Sequence, residues 1–172
     1  TDELGTLIEM AACERDLARA AGVPPERSLA LLHEARQLWA AVRAVPRDPQ
    51  WRERRGSLGT TIHLELASLL LQSPGGQARA AEVFDLLQGY TARTLLERRL
   101  GPDAFTPEVA AALVPATLSA VQAEGLRPGE VLLDYYLGAG QSWVLVVTRE
   151  GCRACPLPPA RVLQERVALF LA

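Results

Sequence analysis

The chain has 172 residues, of which 49% are hydrophobic and 22% charged, with a formal net charge of −2. That composition excludes a disordered chain, and its slightly acidic balance argues against a protein built to hold nucleic acid or an anionic membrane. The length suits one domain or one and a half, with a core of real size.

A first helix is expected over residues 3 to 20. The segment "AGVPPE" then breaks the pattern and places proline at a helix start, where the missing N–H costs least. In "ERSLALLHEARQLWAAVRAV" the residues Leu31, Ala35, Leu38 and Val42 form one stripe and Leu32, Ala35, Trp39 and Val42 its neighbour. His33, Glu34, Arg36 and Gln37 are left outside, so an amphipathic helix is predicted over 25 to 44. After "VPRDP" a third helix is expected from Gln50 to Leu71 through Leu58, Ile62, Leu66 and Leu69. "SPGG" ends it, and a fourth runs from Gln77 to Arg99 through Ala80, Phe84, Leu87 and Leu95 until "GPDAFTP".

The result is two helical hairpins in series, which raises the question of a repeat. Ser28, Leu32 and Ala35 share a small, large, small spacing with Ala80, Phe84 and Leu87. This is similar to the second helix of a tetratricopeptide repeat, but the two sets lie further apart than the roughly 34 residues of that repeat. An ordinary helical bundle is the plainer reading of the same pattern.

Beyond residue 101 short helices are expected from Thr106 and from near Pro115. Residues 130 to 137, "EVLLDYYL", and 142 to 148, "SWVLVVT", are β-branched or aromatic and flank a "GAGQ" turn. "REG" turns the chain into a third strand near 152 to 156, and Val162, Val167 and Phe170 return to helical spacing. The middle strand, "WVLVV", is apolar on both faces, which implies cover on both sides, and three strands with one terminal helix cannot supply it. Three strands would also leave two open edges.

Order and spacing over this last part resemble the opening of a CHAT domain, the caspase-like cysteine peptidase domain found attached to tetratricopeptide repeats. The matching positions are Thr117, Leu118, Val121 and Gln122 in a short helix, Pro128, Gly129 and Glu130 in a turn, and Leu133, Asp134, Tyr135 and Tyr136 in a strand. Val146, Val147, Thr148 and Gly151 follow in a second strand and turn, and Pro156 and Leu157 close a third. "ARTLLE" at 92 to 97 is similar to the end of the helix that precedes such domains. The resemblance spans residues 50 to 172 and is densest over 115 to 158.

It implies an α+β chain: tetratricopeptide-like antiparallel hairpins over 1–100, a linker over 101–114, and over 115–172 the N-terminal part of a caspase-like α/β domain, comprising a three-stranded antiparallel meander and a terminal helix. The family's catalytic histidine and cysteine lie downstream of the third strand, so the resemblance transfers no catalytic residue. The function it implies is regulatory or protein-binding support for a cysteine peptidase, inactive in this chain alone. The alternative is a noncatalytic protein-interaction scaffold. Partners would be a protein or regulator at the helices and, at the meander, the remainder of the peptidase domain or a second copy. Neither nucleic acid nor membrane is expected.

The groups that carry chemistry elsewhere are sparse here. Cys152 and Cys155 form a lone C-x-x-C, but in a strand an odd separation sends the two side chains to opposite faces. Cys13 is alone on a helix and is expected to pack as a small apolar residue. His33 and His63 are placed on polar helix faces. "WRERR" at 51 to 55 reads as a solvated helix face, with a docking patch for an acidic partner as the sharper reading, and Asp134 in its apolar strand reads as structural. "GAGQS" lacks the Lys-Ser/Thr of a phosphate loop. No catalytic, cofactor-binding or metal-binding residue is assigned, and no cofactor is expected. An odd count of three cysteines gives no disulfide framework, no segment reaches the roughly 18 apolar residues of a membrane span, and the N-terminus lacks a signal-peptide pattern. A reducing cytoplasm is the expected compartment.

Overall fold

The computed structural model describes residues 2–42 and 47–171. Four long helices come first: α1 Asp2–Ala18, α2 Pro25–Ala41, α3 Pro49–Gln72 and α4 Ala80–Ala104, with a 3-10 turn over Gly76–Arg79 ahead of α4. Each start has a local cause. Proline occupies the first position of α2 and α3, and the Asp48 carboxylate accepts from the backbone N–H groups of Gln50 and Trp51 at the head of α3. Residues 43–46, at the expected end of α2, lie outside the described residues.

Consecutive helices pack as hairpins, α1 on α2, α2 on α3 and α3 on α4. The small, large, small sets point inward as expected: Ser28, Leu32, Ala35, Ala80, Phe84 and Leu87 are all buried. Ser28 donates to the carbonyl of Ala18 at 2.9 Å, so the small residue is where α2 and α1 come close. Leu95 departs from the expected stripe and is exposed. Beyond Leu87 the inward face of α4 is carried by other residues, and at Glu97 it is a carboxylate. A kink at Gly101, with φ of 73°, allows the chain to bend into Pro102.

Two short helices follow, α5 Pro107–Ala112 and α6 Leu118–Ala120, the latter continuing as a wider turn over Val121–Gly125. The second starts three residues later than the Pro115 signal suggests, because the Thr117 side chain accepts from Ala120 N and the Asp85 carboxylate of α4 takes Leu118 N at 2.7 Å. The sheet is an antiparallel meander in the order β1-β2-β3: β1 Leu132–Tyr136, β2 Ser142–Val147 and β3 Cys152–Leu157. Helix α7, Ala160–Leu171, ends the described chain. The α+β layout is that expected from the sequence.

One face of the sheet packs on the helices. Trp143, Leu145, Val147 and Ala154 share a buried cluster with Leu66, Leu70, Phe84 and Leu118, so sheet and hairpins have a common core. The Trp143 indole N–H donates to Ser68 Oγ at 2.8 Å and ties β2 to α3. A second cluster of Ile8, Ala11, Ala35, Trp39, Leu58 and Ile62 fills the space between α1, α2 and the first half of α3.

The other face of the sheet lacks, among the described residues, the second cover that the apolar middle strand calls for. Val144 is buried there, but on the flanking strand Leu133 is 49% and Tyr135 57% exposed. No layer lies over them among the described residues; Val144 is central in the meander, between Tyr135 and Cys155 in register. Helix α7 projects without closing this face: Phe170 is 90% exposed.

Candidate functional site

Arg55 lies on the same helical stripe as Leu58, Ile62 and Leu66, so α3 carries its guanidinium inward, where the side chain is 3% exposed. It does not belong to the solvated face that "WRERR" suggests; only Arg52, Glu53 and Arg54 of that run are exposed. Burial of a guanidinium requires a partner. Glu97 on α4 provides it, accepting from Arg55 Nη1 at 2.7 Å and from Nη2 at 3.1 Å. Arg93, one helical turn before Glu97, adds a third bond to the same carboxylate at 2.9 Å. Both arginines also reach the C-terminal end of α2, at the carbonyl of Val42, where the helix dipole favours cations.

An aromatic group supports this ion cluster. The guanidinium carbons of Arg55 and Arg93 lie 4.5 and 5.0 Å from the Trp39 ring centre, a cation–π arrangement in a desolvated place. The Trp39 indole donates to the carbonyl of Arg55 at 2.9 Å. Gly59 makes room for that ring: a Cβ there would lie 2.6 Å from Trp39 Cε2. His63 follows, edge-on to Trp39 and stacked on Tyr90 with ring centres 4.4 Å apart.

His63 is therefore buried between rings and not on a polar face as its sequence context suggests. Its Nδ1 lies 2.7 Å from the carbonyl of Gly59, which only accepts, so Nδ1 carries the proton. Burial, aided by Arg36 and Arg93, lowers its pKa to about 4. Such an imidazole is neutral and structural. His33 is half-buried on α2, with its pKa also lowered, chiefly by burial.

Outside this cluster α3 and α4 enclose a cavity of about 550 Å³, with Arg55, Gly56, Thr60, Tyr90, Glu97 and Arg98 on its wall. The Tyr90 hydroxyl lies 2.6 Å from Thr60 Oγ1 and donates to the carbonyl of Gly56 at 3.2 Å. Within the ion cluster, one buried donor has no acceptor: Arg55 Nε.

The cysteines make no comparable site. All three are free. Cys13 is exposed, not packed as a small core residue, because α1 turns Ile8, Ala11 and Ala18 inward instead. In β3 the odd spacing acts as expected: Cys152 packs against the main core and Cys155 pairs with Val144, whose neighbours in β2 face that core. Burial pushes the Cys152 thiol up, away from the thiolate that nucleophilic or redox chemistry needs. Among the described residues no three His, Cys, Asp or Glu side chains are placed to hold a metal.

Asp134 has the structural role expected of it. It accepts from Gln88 Nε2 at 2.7 Å and from the Tyr136 hydroxyl, which fastens β1 to α4. Burial first, then the Asp134 carboxylate, pushes the Tyr136 pKa up. The outer edge of β3 is also fastened. Gln77 donates through Nε2 to the carbonyl of Ala154 at 2.6 Å and accepts from its N–H at 3.2 Å. One side-chain amide thus takes the outward donor and acceptor of Ala154, in the middle of the β3 edge, while the edge at β1 has no partner strand.

No protein-family model matches the chain, and no curated protein or solved structure matches it either. The sequence reading assigns no ion cluster here, and two signals point to it: Arg55 on an apolar stripe, and Arg93 and Glu97 at the spacing of one helical turn. No helix is long and apolar enough to cross a membrane among the described residues.

Proposed function

We propose that the chain is the helical-repeat region and first sheet segment of a CHAT-type cysteine peptidase, supporting the catalytic part and presenting it to a protein regulator. The observation that supports this reading is the asymmetric sheet. One face is built into the helical core and Gln77 caps the middle of the β3 edge at Ala154, while Val131, Leu133, Tyr135 and Leu137 are about half exposed beside the open edge at β1. A sheet finished on one side only is suited to extension by further strands and to cover by further helices.

The chain by itself is expected to hydrolyse no peptide, since His63 is buried between Trp39 and Tyr90 and burial favours the protonated Cys152 thiol. The test is to read and express the gene beyond residue 172. A following segment with a His-Gly pair and a later Cys is expected, with peptidase activity lost on replacing that later Cys and new amide protection across residues 130–137. A stop codon with a monodisperse monomer, and β1 amides as protected from exchange as those of β2, would overturn the reading.

A further inference from the structure

The two edges of the sheet are built differently. At β3, Ala154 turns its N–H and C=O away from β2, and the Gln77 side-chain amide donates to the carbonyl at 2.6 Å and accepts from the N–H at 3.2 Å. Outward groups alternate along an antiparallel strand, so Cys152 and Pro156 turn the same way as Ala154. Pro156 has no N–H to offer, and Arg153 stands exposed beside it on the outer face. Of the three outward positions, only Cys152 keeps both groups uncommitted among the described residues.

The turn before α4 holds Gln77 in that place. Gly75 adopts a φ of 78°, and Gly76 passes so close to α3 that a Cβ there would overlap the carbonyl of Leu71. Gly76 N then donates to the carbonyl of Ser73 at 2.8 Å, and Ala78 N to that of Gly75 at 2.9 Å. Gln77 itself is exposed, so its amide has water within reach and burial does not force it onto Ala154. Nothing comparable stands at β1. The same alternation turns Leu133 and Tyr135 outward, and no side chain takes their backbone groups among the described residues. That strand holds no proline, and its one charge, Asp134, is turned to α4.

We infer that Gln77 is an edge guard: its amide stands in for a neighbouring strand at Ala154 and keeps a second copy of this chain from pairing through β3, which leaves β1 as the edge where the sheet takes a further strand. A strand arriving at β3 has to displace both Gln77 bonds and finds no donor at Pro156. One arriving at β1 finds the groups of Leu133 and Tyr135 free. The inference does not depend on the peptidase reading, since it concerns the edges of this chain alone.

The test is amide hydrogen exchange of the full chain at two protein concentrations, read by NMR at Cys152 and Ala154 and separately at Leu133 and Tyr135, with molar mass from light scattering. Reading the two strands apart distinguishes pairing at β3 from pairing at β1. In the parent the Ala154 amide should be equally protected at both concentrations. Gln77→Met keeps the length of the side chain and removes both bonds, and because Gln77 is exposed the fold is retained. Its Ala154 amide should exchange about fivefold faster or more in dilute solution, as expected for loss of a hydrogen bond. In concentrated solution protection should return at both Cys152 and Ala154 while molar mass rises, and Gln77→Ala should behave alike. Pro156→Val restores an outward donor: alone it should leave β3 unpaired, and combined with Gln77→Met it should bring association at a concentration about fivefold lower. The inference is overturned if neither Gln77 variant gains concentration-dependent protection at Cys152 and Ala154, since Gln77 then only fastens β3 to the helices, or if Pro156→Val pairs through β3 with Gln77 in place.

Discussion

Replacing Glu97 should cost more stability than replacing the arginine it faces. Glu97→Leu removes three charge-assisted bonds at once, two from Arg55 and one from Arg93, with lengths of 2.7 to 3.1 Å. It leaves the Arg55 guanidinium, 3% exposed, with only the carbonyl of Val42 and the face of Trp39. Breaking a buried ion pair from one side costs about 3 to 5 kcal/mol, because a charge stays buried without its counter-charge. Arg55→Met leaves Glu97 with Arg93 still bonded at 2.9 Å, so its cost should be smaller, about 1 to 3 kcal/mol. In the double variant Arg93 keeps the carbonyls of Ala40 and Val42, and the cost should fall short of the sum of the single variants. Urea unfolding of all four proteins, followed by far-ultraviolet circular dichroism, gives the cycle. Equal costs for the two single variants, or a cost below about 1 kcal/mol for Glu97→Leu, would refute the reasoning, since a buried charge cannot be abandoned so cheaply.

His63 should make stability depend on pH. Its folded pKa of about 4 lies below the ordinary 6.5, so between these values the unfolded chain holds the extra proton. Stability is full above pH 6.5, falls as pH drops toward 4 and levels off below, with a total loss of about 3 kcal/mol that His63→Phe should remove. Melts at several pH values that show no such slope, or a slope that survives the substitution, would contradict this. The two glycines of α3 should respond in opposite directions: Gly56→Ala stabilises by about 0.5 to 1 kcal/mol, while Gly59→Ala meets Trp39 at 2.6 Å and destabilises by about 1 to 3 kcal/mol. Thermal melts of the pair check it, and a gain at Gly59 would mean that the Trp39 ring moves freely. Phe84→Ala should cost about 3 to 5 kcal/mol, because Phe84 is fully buried in the cluster that joins sheet and helices. A loss below about 1 kcal/mol in denaturant melts would place little packing at that position.

What the sequence determined by itself was local. Apolar spacing at Leu31, Ala35, Leu58, Ile62, Ala80 and Phe84 set the helices and their inward faces, and each of these residues is buried. Proline at helix starts and the "GAGQ" and "REG" turns set where elements begin and reverse, since these depend on a few adjacent dihedral angles and hydrogen bonds. Alternation within β3 likewise separated Cys152 from Cys155. Tertiary structure decided what depends on residues far apart in the chain. Whether Arg55 faces water or Glu97 rests on how α3 meets α4, and a charged residue on an apolar stripe does not reveal the counter-charge that makes its burial possible. His63 reads as polar until Trp39 and Tyr90 from two other helices enclose it. The edge of β3 looks open from its own residues and is capped at Ala154 by Gln77 from the turn before α4, because one side-chain amide can take the outward donor and acceptor of a single edge residue.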